Sequence, residues 1–308
     1  MITHRMVINP LTLSLNKGIF GEHMPIIPKI EPRDYYKELP SIYHETGDIW
    51  TNIPSFGMNN DSFNRAIVIT PACDLSQNKS ETITALPIIT ISDYIYSKSF
   101  YYEVWQEVQQ ELTDAQIYMP KRHVHPNADD IKALLDLIQL DKNKRKFLPK
   151  LKEYYKYITY CEDRMSDKPD IFSLFSAKKI DKIISDITKN SYRSDIHFLP
   201  HDGSNGDGKI LESHSVVLFR YAFTFPIDIL DLACDGNENT WGDDMEILNN
   251  SYPLASHFKL YPINVTTLKD DFLSDLLSRY ISMYMRLGSR DFTKATLSDF
   301  LCNIKEGL

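Results

Sequence analysis

Apolar positions along the chain follow two periods in turn. Around Gly47 the segment GDIWTNI reads as a short strand, and RAIVITPA and TITALPIITI read as two more, because β-branched residues suit a pleated, half-buried surface. MNNDSFN and QNKSE are polar and read as the loop and turn between them. After Tyr94 the period becomes helical. Phe100 to Leu112 fits a helix, Ile131, Leu134, Leu135 and Ile138 form one stripe, and Ile180, Ile183, Ile184 and Ile187 form another. Between those stripes, Pro149 suits the first turn of a helix carrying Leu151, Tyr154, Tyr155, Ile158 and Tyr160. Strand character returns at DIHFLP, breaks at DGSNGDG and resumes in HSVVLFRYAFTFPIDIL. DGNENTWGDDME reads as an acidic loop. Leu268, Phe272, Leu276, Tyr280 and Tyr284 then recur every four residues in a last helix, with Gly288 suited to its C-terminal cap.

This order predicts an α+β protein in which a β-barrel-like unit is split by a helical insertion. Residues 1–44 hold Pro10, Pro25, Pro28, Pro32 and Pro40 and read as an extended arm, packed on its own chain or on a neighbour. Residues 45–96 supply the first part of the β unit, 97–192 the helical insertion, and 193–308 the second part with the C-terminal helices.

Composition narrows the function classes. The 308 residues are 43% hydrophobic and 25% charged, as in ordinary folded domains, and no apolar run approaches the roughly 20 residues of a membrane span. The first 20 residues interrupt their apolar positions with Asn, Pro, Thr and Ser, a poor signal-peptide core, so a cytoplasmic protein away from membranes is expected. Cys73, Cys161, Cys234 and Cys302 form no C-x-x-C pair, so neither disulfides nor zinc is suggested, and no metal or other cofactor is expected. A net charge of −8 excludes a surface that is wholly a nucleic-acid footprint. One local basic stretch stands out: Lys142, Lys144, Arg145, Lys146, Lys150, Lys152 and Lys156, interleaved with Tyr154, Tyr155 and Tyr157. It suits phosphates and unpaired bases, or an acidic protein surface such as the loop at Asp243 and Asp244; the plainer reading is a solvated helix face.

Cys73 and Asp74 directly follow the second strand. A thiol there is a nucleophile or metal ligand if His197, His201 or His214 approaches it; the plainer reading makes Cys73 a small core residue and Asp74 a turn cap. DGSNGDG lacks the acidic spacing of a calcium loop and reads as a hairpin tip. The phosphate-binding loop, the H-E-x-x-H helix and the G-x-S-x-G elbow are all missing from the sequence, which removes the commonest NTPase, zincin and hydrolase readings.

GDIW at Gly47–Trp50, NRAIVIT at Asn64–Thr70, ALPIIT at Ala85–Thr90 and SVVLFRYAFTFP at Ser215–Pro226, followed by a closing helix, together resemble the MazF/PemK family of toxin ribonucleases. The resemblance covers about 100 residues and lies in the order of the motifs. It implies an SH3-like barrel, interrupted by the helical insertion and closed by the C-terminal helix. It further implies a bacterial toxin or anti-phage system and metal-independent cleavage of single-stranded RNA. Arg65 matches the family's catalytic Arg and Thr90 the Thr ending the third strand; a cation near the phosphate and a hydroxyl that orients it suit that chemistry. Cys73 and Asp74 are auxiliary candidates, and the Lys142–Lys156 face would steer RNA. An antitoxin or a defence effector is the implied protein partner, and a homodimer the implied assembly. Ala66 stands where the family usually has Pro, and GMNNDSFN replaces its Gly-Ser-Glu-rich loop. The alternative is a barrel without catalysis, a binding or sensing subunit that controls a separate effector. Strand, Cys-Asp and polar turn are also similar to an uncharacterised bacterial group that ends in an Arg-Leu-Gly-like stretch, in this chain Arg286–Leu287–Gly288.

Overall fold

The computed structural model describes residues 30–58, 63–77, 79–117, 125–203, 211 and 213–285. The chain divides into residues 1–31 and Pro32–Leu308, and the sheet and its helices all belong to the second unit. Cys302, Gly288, the Arg286–Gly288 stretch, most of the DGSNGDG turn and most of the N-terminal arm lie outside the described residues.

Two short strands come first, β1 (Asp48–Thr51) and β2 (Arg65–Val68), then one turn of helix, α1 (Ala72–Ser76), and the long β3 (Thr82–Thr90). Next come α2 (Ile91–Ile95), α3 (Tyr101–Asp114), α4 (Ala128–Leu140), α5 (Leu148–Glu162), α6 (Ile171–Leu174) and α7 (Ala177–Thr188). The sheet then resumes with β4 (Ile196–Leu199), β5 (Ser215–Leu218) and β6 (Phe223–Pro226). Two helices, α8 (Asp228–Asp235) and α9 (Trp241–Asn249), precede β7 (Ile263–Thr267) and the closing α10 (Asp270–Met285).

All strand pairs are antiparallel, in the order β4-β5-β3-β2-β1-β7, and β6 also pairs with β3. The α+β class therefore stands, but the sheet is open: among the described residues β4 and β7 are its two ends, and no pairing joins them. A barrel was the expectation. Helices on both faces do what closure does for a small barrel, burying each apolar face. The two periods map onto those faces. Ile49, Ile67, Leu86, Ile88 and Val217 point to one side and pack under α10 with Leu268, Leu273 and Leu276. Their neighbours point the other way. Ile89, Val216 and Leu218 meet the helices between β3 and β4, while Trp50, Ala66, Val68 and Ile83 meet α8 and α9.

Three segments differ from the sequence expectation. The apolar run after Ser213, read only as resumed strand character, divides into two strands. A 3-10 turn at Phe219–Tyr221 breaks it, so that β5 pairs with Ile88–Thr90 and β6 with Thr82–Ala85 of the same long strand. TWGDDME is helical, because Trp241 is buried and its indole Nε1 donates to the Phe258 carbonyl at 2.8 Å, anchoring what composition alone marks as loop. The described end of the arm is not wholly extended, and part of it packs on its own chain. Pro32–Tyr35 forms a 3-10 turn, Tyr36 is buried with its hydroxyl donating to the Pro200 carbonyl at 2.7 Å, and Tyr35 stacks on Phe272.

Candidate functional site

Arg65 opens β2 opposite Ile88 of β3, and Thr90 lies two residues further along that strand. Period two places both side chains on the α10 face, as diagonal neighbours about 7–8 Å apart. Both are half-buried. The Thr90 hydroxyl is engaged locally: as N-cap of α2 it accepts the Asp93 N–H at 2.9 Å and donates to the Asp93 carboxylate at 2.7 Å. His197 shares a transverse row with Arg65 through Ile88 and Val217, three strand spacings or about 14 Å away. It is buried with no hydrogen-bond partner for Nδ1, 3.9 Å from the Asp275 carboxylate and stacked on Phe219. Burial first, and the Arg279 charge second, lower its pKa to about 3, so the ring is neutral.

Cys73 and Asp74 sit on α1, where Cys73 is exposed and its thiol faces the Asp74 carboxylate at 3.5 Å. The three candidate histidines are engaged elsewhere. His197 is buried on β4, while His201 and His214 meet each other, the His201 backbone N–H donating to His214 Nδ1 at 3.0 Å. Among the described residues no group of three His, Cys, Asp or Glu side chains is arranged to hold a metal ion.

The basic stretch runs from the end of α4 into α5, and much of its charge is locally answered. Lys144 lies 3.8 Å from Asp141, Lys150 pairs with Glu111, and Lys156 lies 3.2 Å from Glu153. Arg145 Nε donates to the Gln139 carbonyl, and the Lys146 ammonium sits over the Phe147 ring. Lys142 and Lys152 are exposed. Tyr154 and Tyr157 face the helical core, fully buried, so they are not placed to stack on bases.

Two cavities are more developed than any of these positions. The first, of about 240 Å³, lies where the loop before β4 and the turn after β5 meet the start of α3. Pairing of Ile196 with Leu218 brings Asp195 and Arg220 to the same end of the sheet. Asp195 is buried and accepts from two guanidiniums: Arg193 through Nε at 2.8 Å and Nη2 at 2.7 Å, and Arg220 through Nε at 2.6 Å. Burial raises the Asp195 pKa, but the bonds from Arg193 and then Arg220 outweigh it and hold the carboxyl below its ordinary value. Arg193 spends its last nitrogen, Nη1, on the Ser99 carbonyl, whereas the Arg220 side chain is 66% exposed. Lys98, Tyr94, Tyr102, Tyr221 and His125 complete the lining. Sequence reading missed this group because its charges come from residues 98, 193, 195 and 220, and no local motif joins them.

The second cavity, of about 880 Å³, is a cleft between residues 42–46, α1, α8 and the start of α10. Glu45, Asp231, Asp235 and Asp270 make it acidic, with His44 Nε2 2.8 Å from Asp231 and the side chains of Ile42 and Tyr43 largely exposed beside it. Among the described residues no helix is long and apolar enough to cross a membrane. No protein-family model matches the chain, and the searches of curated proteins and of solved structures found no match.

Proposed function

We propose that this chain is a binding or sensing subunit of a bacterial toxin or anti-phage system, built on a sheet of the SH3-like MazF/PemK kind that recognises a ligand and does not cleave it. The observation that carries this reading is the Thr90 hydroxyl, which both accepts from and donates to Asp93 as the cap of α2. A ribonuclease needs that hydroxyl turned toward the scissile phosphate, because only groups aimed at the developing charge lower the barrier. The acidic cleft supports the same reading. Exposed Ile42 and Tyr43 beside four carboxylates offer an apolar and charged surface to a protein effector bearing basic residues.

One feature favours the metal-independent endoribonuclease as a second reading: Arg65 and Thr90 share a face of adjacent strands within side-chain reach. Incubation of purified protein with mixed single-stranded RNA in EDTA separates the two. The binding reading expects intact RNA from the wild type. Cleavage that Arg65→Ala and Thr90→Ala both abolish, in variants shown to be folded, overturns it in favour of the nuclease.

A further inference from the structure

We propose that the 240 Å³ cavity between the start of α3 and the β4–β5 end of the sheet is a phosphate-binding site for a nucleotide, taken free or as the phosphorylated end of a single strand. This rests on the reading of the chain as a binding subunit and names its ligand.

Charge comes first. Lys98, Arg193 and Arg220 line the cavity against a single lining carboxylate, Asp195, so the cavity carries an excess of positive charge in a protein whose net charge is −8. Glu103, next to the wall, acts on Arg193 but does not line the space. Asp195 does not cancel the site; it orients it. By taking the Nε of Arg220 it tethers the guanidinium and leaves both Nη groups without a hydrogen bond among the described residues, a fork able to bind two oxygens of one phosphate. Arg193, bonded through all three nitrogens, serves as the buttress that keeps Asp195 ionised. No ion pair among the described residues engages Lys98, which leaves its ammonium for a third oxygen.

An independent observation marks the wall. The Tyr94 hydroxyl is fully buried beside Arg193 and Asp195; the Arg193 guanidinium can only donate to its oxygen, and no acceptor among the described residues takes its own proton. Burial raises its pKa well above the usual phenol value, so it remains a donor. A buried donor left without an acceptor is costly, and a bound anion oxygen supplies one.

Size and rim choose the ligand class. Sites that enclose a drug-sized molecule usually span about 300–1,000 Å³. At about 240 Å³ the cavity takes a phosphate and sugar and leaves a base at the mouth. There Tyr102, 48% exposed and set edge-on to His125, offers a ring face for stacking.

The test is calorimetric titration of the full chain with AMP, UMP, adenosine, inorganic phosphate, and one short RNA made with and without a 5′-phosphate. Phosphorylated ligands are expected to bind at least about tenfold tighter than their unphosphorylated counterparts, and Arg220→Ala and Lys98→Ala, both at exposed positions, are each expected to lose about tenfold. Tyr102→Ala should weaken the nucleotides and leave inorganic phosphate unchanged. Tight binding by both AMP and the phosphorylated RNA identifies free nucleotide as sufficient; tight binding by the RNA alone identifies the strand end. Equal affinity with and without phosphate, wild-type affinity in the Arg220 and Lys98 variants, or no binding at all overturns the site. Inorganic phosphate binding as tightly as AMP overturns its nucleotide character. RNA cleavage in EDTA would instead defeat the binding-subunit reading, so the two failures have separate signatures.

Discussion

Thr90 and Asp93 close on each other: the Thr90 hydroxyl accepts the Asp93 backbone N–H at 2.9 Å and donates to its carboxylate at 2.7 Å. A side chain held this way is a helix cap joining the long third strand to α2. Thr90→Ala is therefore expected to destabilise the fold by about 1 kcal/mol, the usual worth of a cap, with Thr90→Ser recovering most of it. Urea unfolding of the three proteins measures this. A Thr90→Ala protein as stable as the wild type would mean that the hydroxyl is free for another role.

Gly47 holds φ at +96° where the chain enters β1, with its N–H on the Val68 carbonyl and its carbonyl accepting from Leu268. A Cβ there would meet Leu273 Cδ2 at 3.1 Å, on the helix that covers the sheet. Backbone strain and the displaced Leu273 act together, so Gly47→Ala is expected to cost between about 1 and 3 kcal/mol. A thermal midpoint equal to that of the wild type would contradict this.

His197 should make the fold acid-sensitive. Its pKa is lowered to about 3 in the native state against 6.5 for the free side chain, by burial and then by Arg279. Between those values the unfolded chain binds a proton that the native one does not. The contribution is thus fully present above pH 6.5 and is lost progressively as pH falls toward 3. His197→Phe keeps a ring against Phe219 and removes the titration. Denaturant midpoints from pH 7 to pH 4.5 are expected to fall less in this variant than in the wild type; parallel curves would show that His197 is not the sensor.

Periodicity made most of the fold legible, for clear physical reasons. Stripes such as Ile131, Leu134 and Ile138 are buried because a helix repeats its face every three to four residues. The β-branched runs Ala66–Val68 and Leu86–Ile89 are strands because each side chain has a face to fill. What stayed hidden depends on pairing between distant segments. β7 shows only an exposed Ile263 and half-buried Asn264 and Val265 ahead of two threonines. It is recognisable as a strand once Thr267 is seen to donate to buried Asp48 at 2.6 Å, across 219 residues of sequence. The open edge of the sheet and the forking of β5 and β6 from β3 are likewise register facts, with no local signal. Of the candidate positions, the Arg65 and Thr90 pair was picked out by motif order. The Arg193–Asp195–Arg220 group was not, because the pairing of Ile196 with Leu218 creates it.

Asp195 tests the architecture of that group independently of any ligand. It is buried between two guanidiniums, and Asp195→Asn leaves Arg193, itself largely buried, without its counter-charge. The expected loss is about 3 kcal/mol, the low end for breaking a buried pair because Arg220 reaches solvent. Since the carboxyl is held below its ordinary pKa, this stabilisation is present at neutral pH and disappears as pH falls through that lowered value. Arg220→Ala, by contrast, should barely change stability. Unfolding curves of the two variants that coincide would show that Asp195 is not the keystone.

Charge reversal separates the basic helix from the cavity. Between α4 and α5 and along α5, Lys144, Lys150 and Lys156 already face Asp141, Glu111 and Glu153, and Lys146 lies over Phe147. A phosphate arriving there must displace existing partners, and an exposed ion pair gains little to begin with. Lys142→Glu, Lys146→Glu and Lys152→Glu combined are therefore expected to change the affinity for a phosphorylated RNA end by less than about threefold at about 0.15 M salt, where screening reaches about 8 Å. Arg220→Ala should cost about tenfold under the same conditions. Loss of binding in the triple variant, together with a flatter dependence of affinity on salt, would place the nucleic-acid contacts on the helix and not in the cavity, since each phosphate contact removed lowers that slope by nearly one.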